Sequence, residues 1–202
     1  IASIIANASK DYCYDLIIFH RDISDENKKI LREMLSSHKN FSVRFLNVSP
    51  YVEKYTLYTE NRSFFSIEAY FRLLAPFVMC AFDKAIYCDG DMVVTRDIAE
   101  LMQVDLSDNL IAAVRDYCGL SDMYNPNTVR RDYMIHELKL QNPDNYYISG
   151  LLVMNLKKFR ESFTADQIMQ LAASRQWTYH DQDVLNILTE NQTIPLDPRW
   201  NV

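Results

Sequence analysis

Two aspartates, Asp89 and Asp91, flank a single glycine in the stretch YCDGDMVV at residues 87–94. An apolar, strand-like run at 85–88 precedes them, so the pattern places both carboxylates at the end of a strand. Two carboxylates separated by a residue without a side chain can converge on one hard divalent cation. An ordinary turn at a strand end also produces this pattern, and a D-x-D alone does not separate the two interpretations.

The chain has only three glycines, Gly90, Gly119 and Gly150, so neither a G-x-G-x-x-G nor a Walker loop can be written in it. A diphosphate would therefore need another route of binding, and a cation held by acids supplies one. The net charge of −6 fits cation-assisted binding. No Lys/Arg block interleaves with aromatic residues, so nucleic acid is not an expected partner.

The elements that must position these acids follow from hydrophobic periodicity. With 202 residues, 49% of them apolar, the chain predicts one domain with a substantial core. Strands are predicted at 14–20, 41–48, 85–88, 110–116 and 151–156, and helices at 24–37, 66–76, 97–102, 157–175 (two) and 181–191. This alternation predicts an α/β fold with a mostly parallel sheet flanked by helices.

In such sheets ligands bind beyond the carboxyl ends of the strands, and Asp89, Asp91 and Asp116 all fall at such ends. That coincidence favours a functional interpretation of the acids. The span 117–145 is long, polar and weakly patterned, which predicts a functional loop, and 51–65 is predicted to be irregular.

Cysteine usage and hydropathy bear on the compartment. Cys80 and Cys88 lie in apolar runs and are expected to be buried, and no C-x-x-C occurs. We therefore expect a reduced, cytoplasmic setting. The sequence contains no run of about 18 apolar residues, so no membrane span is predicted. The first ten residues are typical of the middle of an amphipathic helix and not of a signal peptide.

Other candidate residues each allow two interpretations. Arg72, in an otherwise apolar helical run, is either a surface residue with a buried stem or a charge held for a partner in a cleft. Gly150 before an apolar strand indicates either a ligand close to the backbone or a bend. Asp181 and Asp183 begin a helix, where acids are favoured electrostatically, but capping explains only one of them, and a second acid beside the amide Gln182 is more than capping requires. No histidine is assigned a catalytic role.

Four segments together resemble family 8 of the glycosyltransferases, the retaining galactosyl- and glucosyltransferases of the GT-A fold. They are SIEAYFRLLAP (66–76), DKAIYCDGDMVVTRDIAEL (83–101), NYYISGLLVMNLKKFRE (145–161) and HDQDVLN (180–186). The resemblance runs over residues 1–202. It implies a GT-A catalytic core that transfers a hexose from a UDP-hexose donor to a glycan or lipid-linked saccharide acceptor.

The resemblance also implies roles for individual residues. Asp89 and Asp91 match the acids that bind Mn²⁺ (or Mg²⁺), with Asp89 also near the donor. Arg72 matches a helix arginine that approaches the donor sugar, and Asp116 an acid near donor and acceptor. The others are Ser149 and Gly150, a small pair beside the sugar; Asp181, which hydrogen-bonds sugar hydroxyls; and Gln182, which lies against the reacting face of the anomeric carbon.

Three departures from the family pattern carry expectations. Ile148 stands where many members have asparagine. The family's first strand would precede Ile1, and its C-terminal histidine–lysine segment would follow Val202, so we expect weak metal binding and little activity from these residues alone. A membrane-anchoring tail would also follow Val202, which leaves peripheral association at the inner face of the membrane open.

Two other functions compete with this one. A phosphatase of the haloacid dehalogenase type also carries a D-x-D after an apolar strand, but there it ends the first strand of the fold. A sugar-nucleotide-binding module without turnover is the non-enzymatic alternative. The residues do not identify the hexose or the acceptor.

Overall fold

A computed structural model describes residues 1–59, 66–125 and 127–201. Part of the segment predicted to be irregular, 60–65, lies outside the described residues. Within them the strands form two sheets. They are β1 (Tyr14–His20), β2 (Phe41–Asn47), β3 (Lys84–Cys88), β4 (Ile111–Arg115), β5 (Tyr147–Asn155) and β6 (Thr193–Pro195).

Strand direction corrects one expectation. β1 and β2 form a parallel pair, and the other four strands form a sheet in the order β3-β5-β4-β6. In that sheet β4 and β6 are parallel, but β5 runs antiparallel to both β3 and β4. The predicted α/β class is confirmed, whereas the expectation of a mostly parallel sheet is wrong for the four-stranded sheet, which is mixed. Sequence periodicity identifies buried strands but does not give their direction.

Helices and short turns cover the sheets. The α-helices of the described residues are α1 (Ala2–Asn7), α2 (Asp25–Leu35), α3 (Ser49–Val52), α4 (Ala75–Val78), α5 (Tyr117–Met123), α6 (Arg130–Asp132), α7 (Leu156–Ser162), α8 (Ala165–Ala173) and α9 (His180–Leu188). Short 3₁₀ helices occupy Ile67–Leu74, Ile98–Gln103, Pro143–Asn145 and Pro198–Trp200, and a π-helical turn occupies Tyr133–Glu137. No helix in these residues is both long enough and apolar enough to cross a bilayer.

The core explains why β4 and β5 are continuous apolar runs. Leu152 and Met154 of β5 pack into one hydrophobic cluster, while Leu151 and Val153 belong to a second cluster on the opposite face. All four are at most 3% exposed. Because both faces of the sheet are covered, alternate residues cannot be polar, and the sheet becomes a rigid platform for the segments that follow its strands.

Two further expectations are wrong in detail. The span 117–145 is not an irregular loop, since it contains α5, α6 and the π-helical turn. Cys80 is exposed and Cys88 only half-buried, although both lie in apolar runs. Cys80 falls in the turn between α4 and β3, where the chain returns to the surface.

Candidate active site

The mixed sheet brings the predicted acids to one edge. β3 and β4 both run opposite to β5, so their carboxyl ends lie on either side of the start of β5. Asp89 follows β3, and its backbone N–H donates to the carbonyl of Gly150 at 2.9 Å. Asp116 follows β4, and its N–H donates to the carbonyl of Tyr146 at 2.9 Å. The strand-end argument therefore locates both acids correctly, although the strand between them is antiparallel.

Arg72 is a buried charge, 4% exposed, and not a surface residue. Its Nη2 lies 2.8 Å from Oδ1 of Asp89, and its Nε lies 2.9 Å from Oδ2 of Asp181. Nη1 donates to the backbone carbonyl of Ser149. The guanidinium also lies over the ring of Tyr87, 4.6 Å from the centroid. These contacts settle the two interpretations of Arg72 in favour of a charge held for partners.

Asp181 is enclosed by the same network. The carboxylate accepts from the hydroxyl of Ser149 at 3.0 Å, and the residue is 3% exposed. Burial raises the pKa of Asp181 to about 6 against the opposing effects of Arg72 and of the Ser149 hydrogen bond. Its position at the start of α9 is thus more than helix capping.

The backbone at the start of α9 has an unusual conformation beside these side chains. His180 has a φ of 49°, in the left-handed region that non-glycine residues seldom adopt. Gln182, two residues later, accepts from the backbone N–H of Ser149 through Oε1 at 3.1 Å. Its Nε2 lies 3.5 Å from Oδ2 of Asp116. Asp181, Gln182 and Asp116 are thereby linked to the start of β5.

A cavity of about 1300 Å³ collects most of the predicted site residues. It extends along β1 and β3, whose facing edges pair with no strand in the described residues. Asp116 lies outside its lining and contacts it through Gln182. The lining includes all the other predicted site residues: Arg72, Asp89, Asp91, Ser149, Gly150, Asp181 and Gln182.

Two carboxylates are available to a cation. Asp89 and Asp91 line the same cavity, and Asp91 is exposed. Oδ1 of Asp89 accepts from Arg72 and from the hydroxyl of Tyr87, each at 2.8 Å, while Oδ2 lies 3.1 Å from the point where a Cβ would stand on Gly150. No group of three or more His, Cys, Asp or Glu side chains assembles a metal site in the described part of the chain.

The family model described as glycosyl transferase family 8 matches residues 1–202. The chain belongs to glycosyl transferase family 8. It is 28% identical over 138 residues to the lipopolysaccharide 1,2-glucosyltransferase of Escherichia coli K12, a match that covers 65% of this chain and 37% of that protein. This chain spans between 15% and 66% of the length of the curated relatives that it matches.

Solved structures place the family 8 chain in the GT-A fold. The apo structure of the bifunctional glycosyltransferase WbbM matches with a TM-score of 0.87 and 30% identity, over 98% of this chain and 35% of that one. The galactosyltransferase LgtC, solved with donor and acceptor sugar analogs, matches with a TM-score of 0.76 and 23% identity, over 98% of this chain and 67% of that one. The expected fold is confirmed.

The family 8 resemblance did not identify Asp183 and Arg130, two residues that contact the site residues or their neighbours from the protein interior. Asp183, fully buried, accepts from the hydroxyls of Tyr133 and Tyr146 at 2.6 Å and from the N–H of Tyr179 at 2.8 Å. Burial raises the pKa of this carboxyl. Arg130 pairs with Asp116 at 2.5 Å. In the sequence, the only sign of these contacts is the second acid of the D-Q-D stretch, Asp183. Its partner Tyr133, and Arg130, lie in the span that was predicted to be a loop, so no pattern connects them to the site.

Asn201 is another residue that sequence reasoning missed. It lines the cavity beside Gly150, and its buried Nδ2 has no hydrogen-bond partner among the described residues. Gly90, by contrast, has open space around it and no positive φ. Packing around position 90 therefore does not require the absence of a side chain between the two acids.

Proposed function

We propose that the chain is the core of a retaining hexosyltransferase that moves galactose or glucose from a UDP-sugar to a glycan or lipopolysaccharide-type acceptor, with Mn²⁺ or Mg²⁺ as cofactor. The observation that carries this proposal is the joint placement of Asp89, Arg72, Asp181 and Gln182 on one cavity in a family 8 chain. The relatives named for glucosyl and galactosyl transfer support the substrate class.

The residues present partly fit a cation. Asp89 and Asp91 offer carboxylate oxygens, which suit Mn²⁺ and Mg²⁺ better than softer metals. The glycine at 150 leaves room beside Oδ2 of Asp89, where a Cβ would crowd it. A bound cation would offset the negative charge that grows on the departing UDP phosphates. Two carboxylates are few for tight binding, so we expect the donor phosphates to complete the coordination.

The protein's own groups would then position the sugar. Arg72 and Asp181 are fixed by their mutual ion pair at 2.9 Å, so they present hydrogen-bonding groups in a set geometry without reorganisation. Gln182 lies where the family places the reacting face, but an amide is a poor nucleophile. We therefore favour attack by the acceptor hydroxyl on the face that the phosphate leaves, with that phosphate taking the proton.

The experiment measures Mn²⁺-dependent release of UDP from UDP-galactose and UDP-glucose by the full-length protein. We expect Asp89→Asn and Asp91→Asn to abolish turnover. Asp108→Asn is the matched control, because Asp108 is fully exposed and pairs with Lys158 at 3.7 Å, away from the cavity lining. Turnover that survives in both D-x-D variants would refute the role of the acids, and absence of turnover with either donor would refute the donor class. Gln182→Ala should lower turnover with UDP binding retained, and lost UDP binding would contradict its assignment.

A further inference from the structure

An arginine outside the predicted site, Arg130, contacts one of its acids. Nη2 of Arg130 lies 2.5 Å from Oδ2 of Asp116, and Nη1 donates to the hydroxyl of Tyr179 at 3.1 Å. The guanidinium lies over two rings, 4.3 Å from the centroid of Tyr179 and 5.6 Å from that of Tyr146. Its side chain is 9% exposed. A carboxylate and two aromatic faces together restrict the orientation of this guanidinium.

The sequence makes room for this arginine with one of its three glycines. A Cβ on Gly119 would overlap Nη2 and Cζ of Arg130 and would stand 2.6 Å from Oδ2 of Asp116. The N–H of Gly119 donates to Oδ1 of Asp116 at 2.8 Å, which caps α5. Both oxygens of Asp116 are therefore fixed, one by the helix and one by Arg130.

The fixed carboxylate faces Gln182. Oε1 of Gln182 accepts from the backbone N–H of Ser149 at 3.1 Å. A backbone N–H can only donate, so this contact decides which end of the amide is oxygen. Nε2 must then point toward Oδ2 of Asp116, at 3.5 Å. The amide is thus held between a donor on β5 and an acceptor whose place Arg130 sets.

We propose that Arg130 is a positioning residue, which acts through Asp116 to orient the side-chain amide of Gln182 at the cavity wall. Its importance for catalysis rests on the proposed function, whereas its effect on the Gln182 amide does not. Without Arg130, the Asp116 carboxylate would lose its counter-charge, and its Oδ2 would no longer be held in place. The nitrogen of Gln182 would then lose an acceptor in a fixed position.

The first test reads the Gln182 amide directly in ¹⁵N-labelled full-length protein. Its side-chain NH₂ signals are assigned by their loss in Gln182→Ala. We expect Arg130→Met and Gly119→Ala each to shift or broaden these signals, and Arg130→Lys to shift them less. The control is Arg131→Met, because Arg131 is exposed and its guanidinium lies over the exposed ring of Tyr124. It should leave the signals in place.

Three variants keep the test decisive if one fails to fold, since folding is checked in the backbone region of the same spectrum. Unchanged Gln182 signals in the folded variants would overturn the proposal. In turnover assays we expect Arg130→Met to lower kcat by about tenfold, with KM for the donor within about threefold. Adding Arg130→Met to Gln182→Ala should lower kcat no further, because the two residues act as one unit. Additive losses would show that Arg130 acts independently of Gln182. A wild-type protein without turnover would refute the proposed function and leave the spectroscopic result to decide on Arg130.

Discussion

Nη2 of Arg72 lies 2.8 Å from Oδ1 of Asp89, so a buried cation already neutralises part of the carboxylate on which metal binding would depend. The same guanidinium pairs with Asp181 at 2.9 Å, and Asp181 therefore shares its charge. Because Arg72 is divided between two acids, it offsets the charge of Asp89 only in part. The Arg72 network thus links the proposed metal site to the proposed sugar site.

Replacing Arg72 with methionine should lower the free energy of unfolding by about 3–5 kcal/mol, because it leaves the buried Asp181 without its counter-charge. Urea denaturation monitored by circular dichroism measures the change. The matched control is Arg199→Met, since Arg199 is 78% exposed and pairs with Asp197 at the surface. We expect no change in its midpoint. Equal effects of the two substitutions would mean that the Arg72 network contributes no more than a surface ion pair.

Gly150→Ala should weaken Mn²⁺ binding severalfold with the fold intact. The added Cβ would stand 3.1 Å from Oδ2 of Asp89, and that oxygen would have to move by a few tenths of an ångström. Gly90→Ala is the control inside the D-x-D, since a Cβ there meets nothing within 4 Å. Calorimetric titration with Mn²⁺ compares the two. Weaker binding in the alanine variant at 90 than at 150 would contradict the steric argument.

Sequence patterns predict strands well where burial alone determines them. β4 and β5 are continuous apolar runs with both faces covered, and they were predicted within a few residues. β6 was missed because its three residues, Thr193–Pro195, are too few to show a period. The direction of β5 was missed because buried parallel and antiparallel strands have the same composition.

Local sequence patterns identify some residues of the candidate site and not others. Asp89 and Asp116 were found because strand ends are visible in sequence. Arg130 and Asp183 were not, because their meaning comes from partners far away in the chain. Tyr133, for example, reaches Asp183 across 50 residues, and no local pattern connects them. Gly119 likewise acquires its role only from the folded position of Arg130.

The stability of the protein should depend on pH through Asp181. Burial raises the pKa of Asp181 from 3.8 to about 6, so the folded state favours the protonated carboxyl. The stabilisation from this group is complete below pH 3.8 and is lost as the pH rises through 6. This increase in the pKa of Asp181 corresponds to about 3 kcal/mol of stabilisation between the limits of low and high pH.

Comparison with Asp181→Asn isolates this group from the other carboxyls. The free energy of unfolding of the wild type, minus that of the variant, should fall by about 2.4 kcal/mol between pH 4 and pH 7. Urea denaturation at intervals of half a pH unit measures it. A difference that stays constant over this range would show that Asp181 has the same pKa in the folded and unfolded chains.

Tyr146→Phe should lower the free energy of unfolding by about 1.5–3 kcal/mol, because it removes a hydrogen bond to the buried carboxylate of Asp183 without changing the ring. The hydroxyl of Tyr146 donates to Oδ1 of Asp183 at 2.6 Å. Tyr124→Phe is the matched control, since the Tyr124 hydroxyl bonds Asp144 at 2.9 Å on the surface. Its effect should stay below about 0.5 kcal/mol. The two variants lose the same atom, so a comparable cost in both would mean that the Asp183 network does not support the site from within the core. A larger cost for Tyr146→Phe, with the Gln182 amide signals unchanged, would separate this support from the orienting role of Arg130.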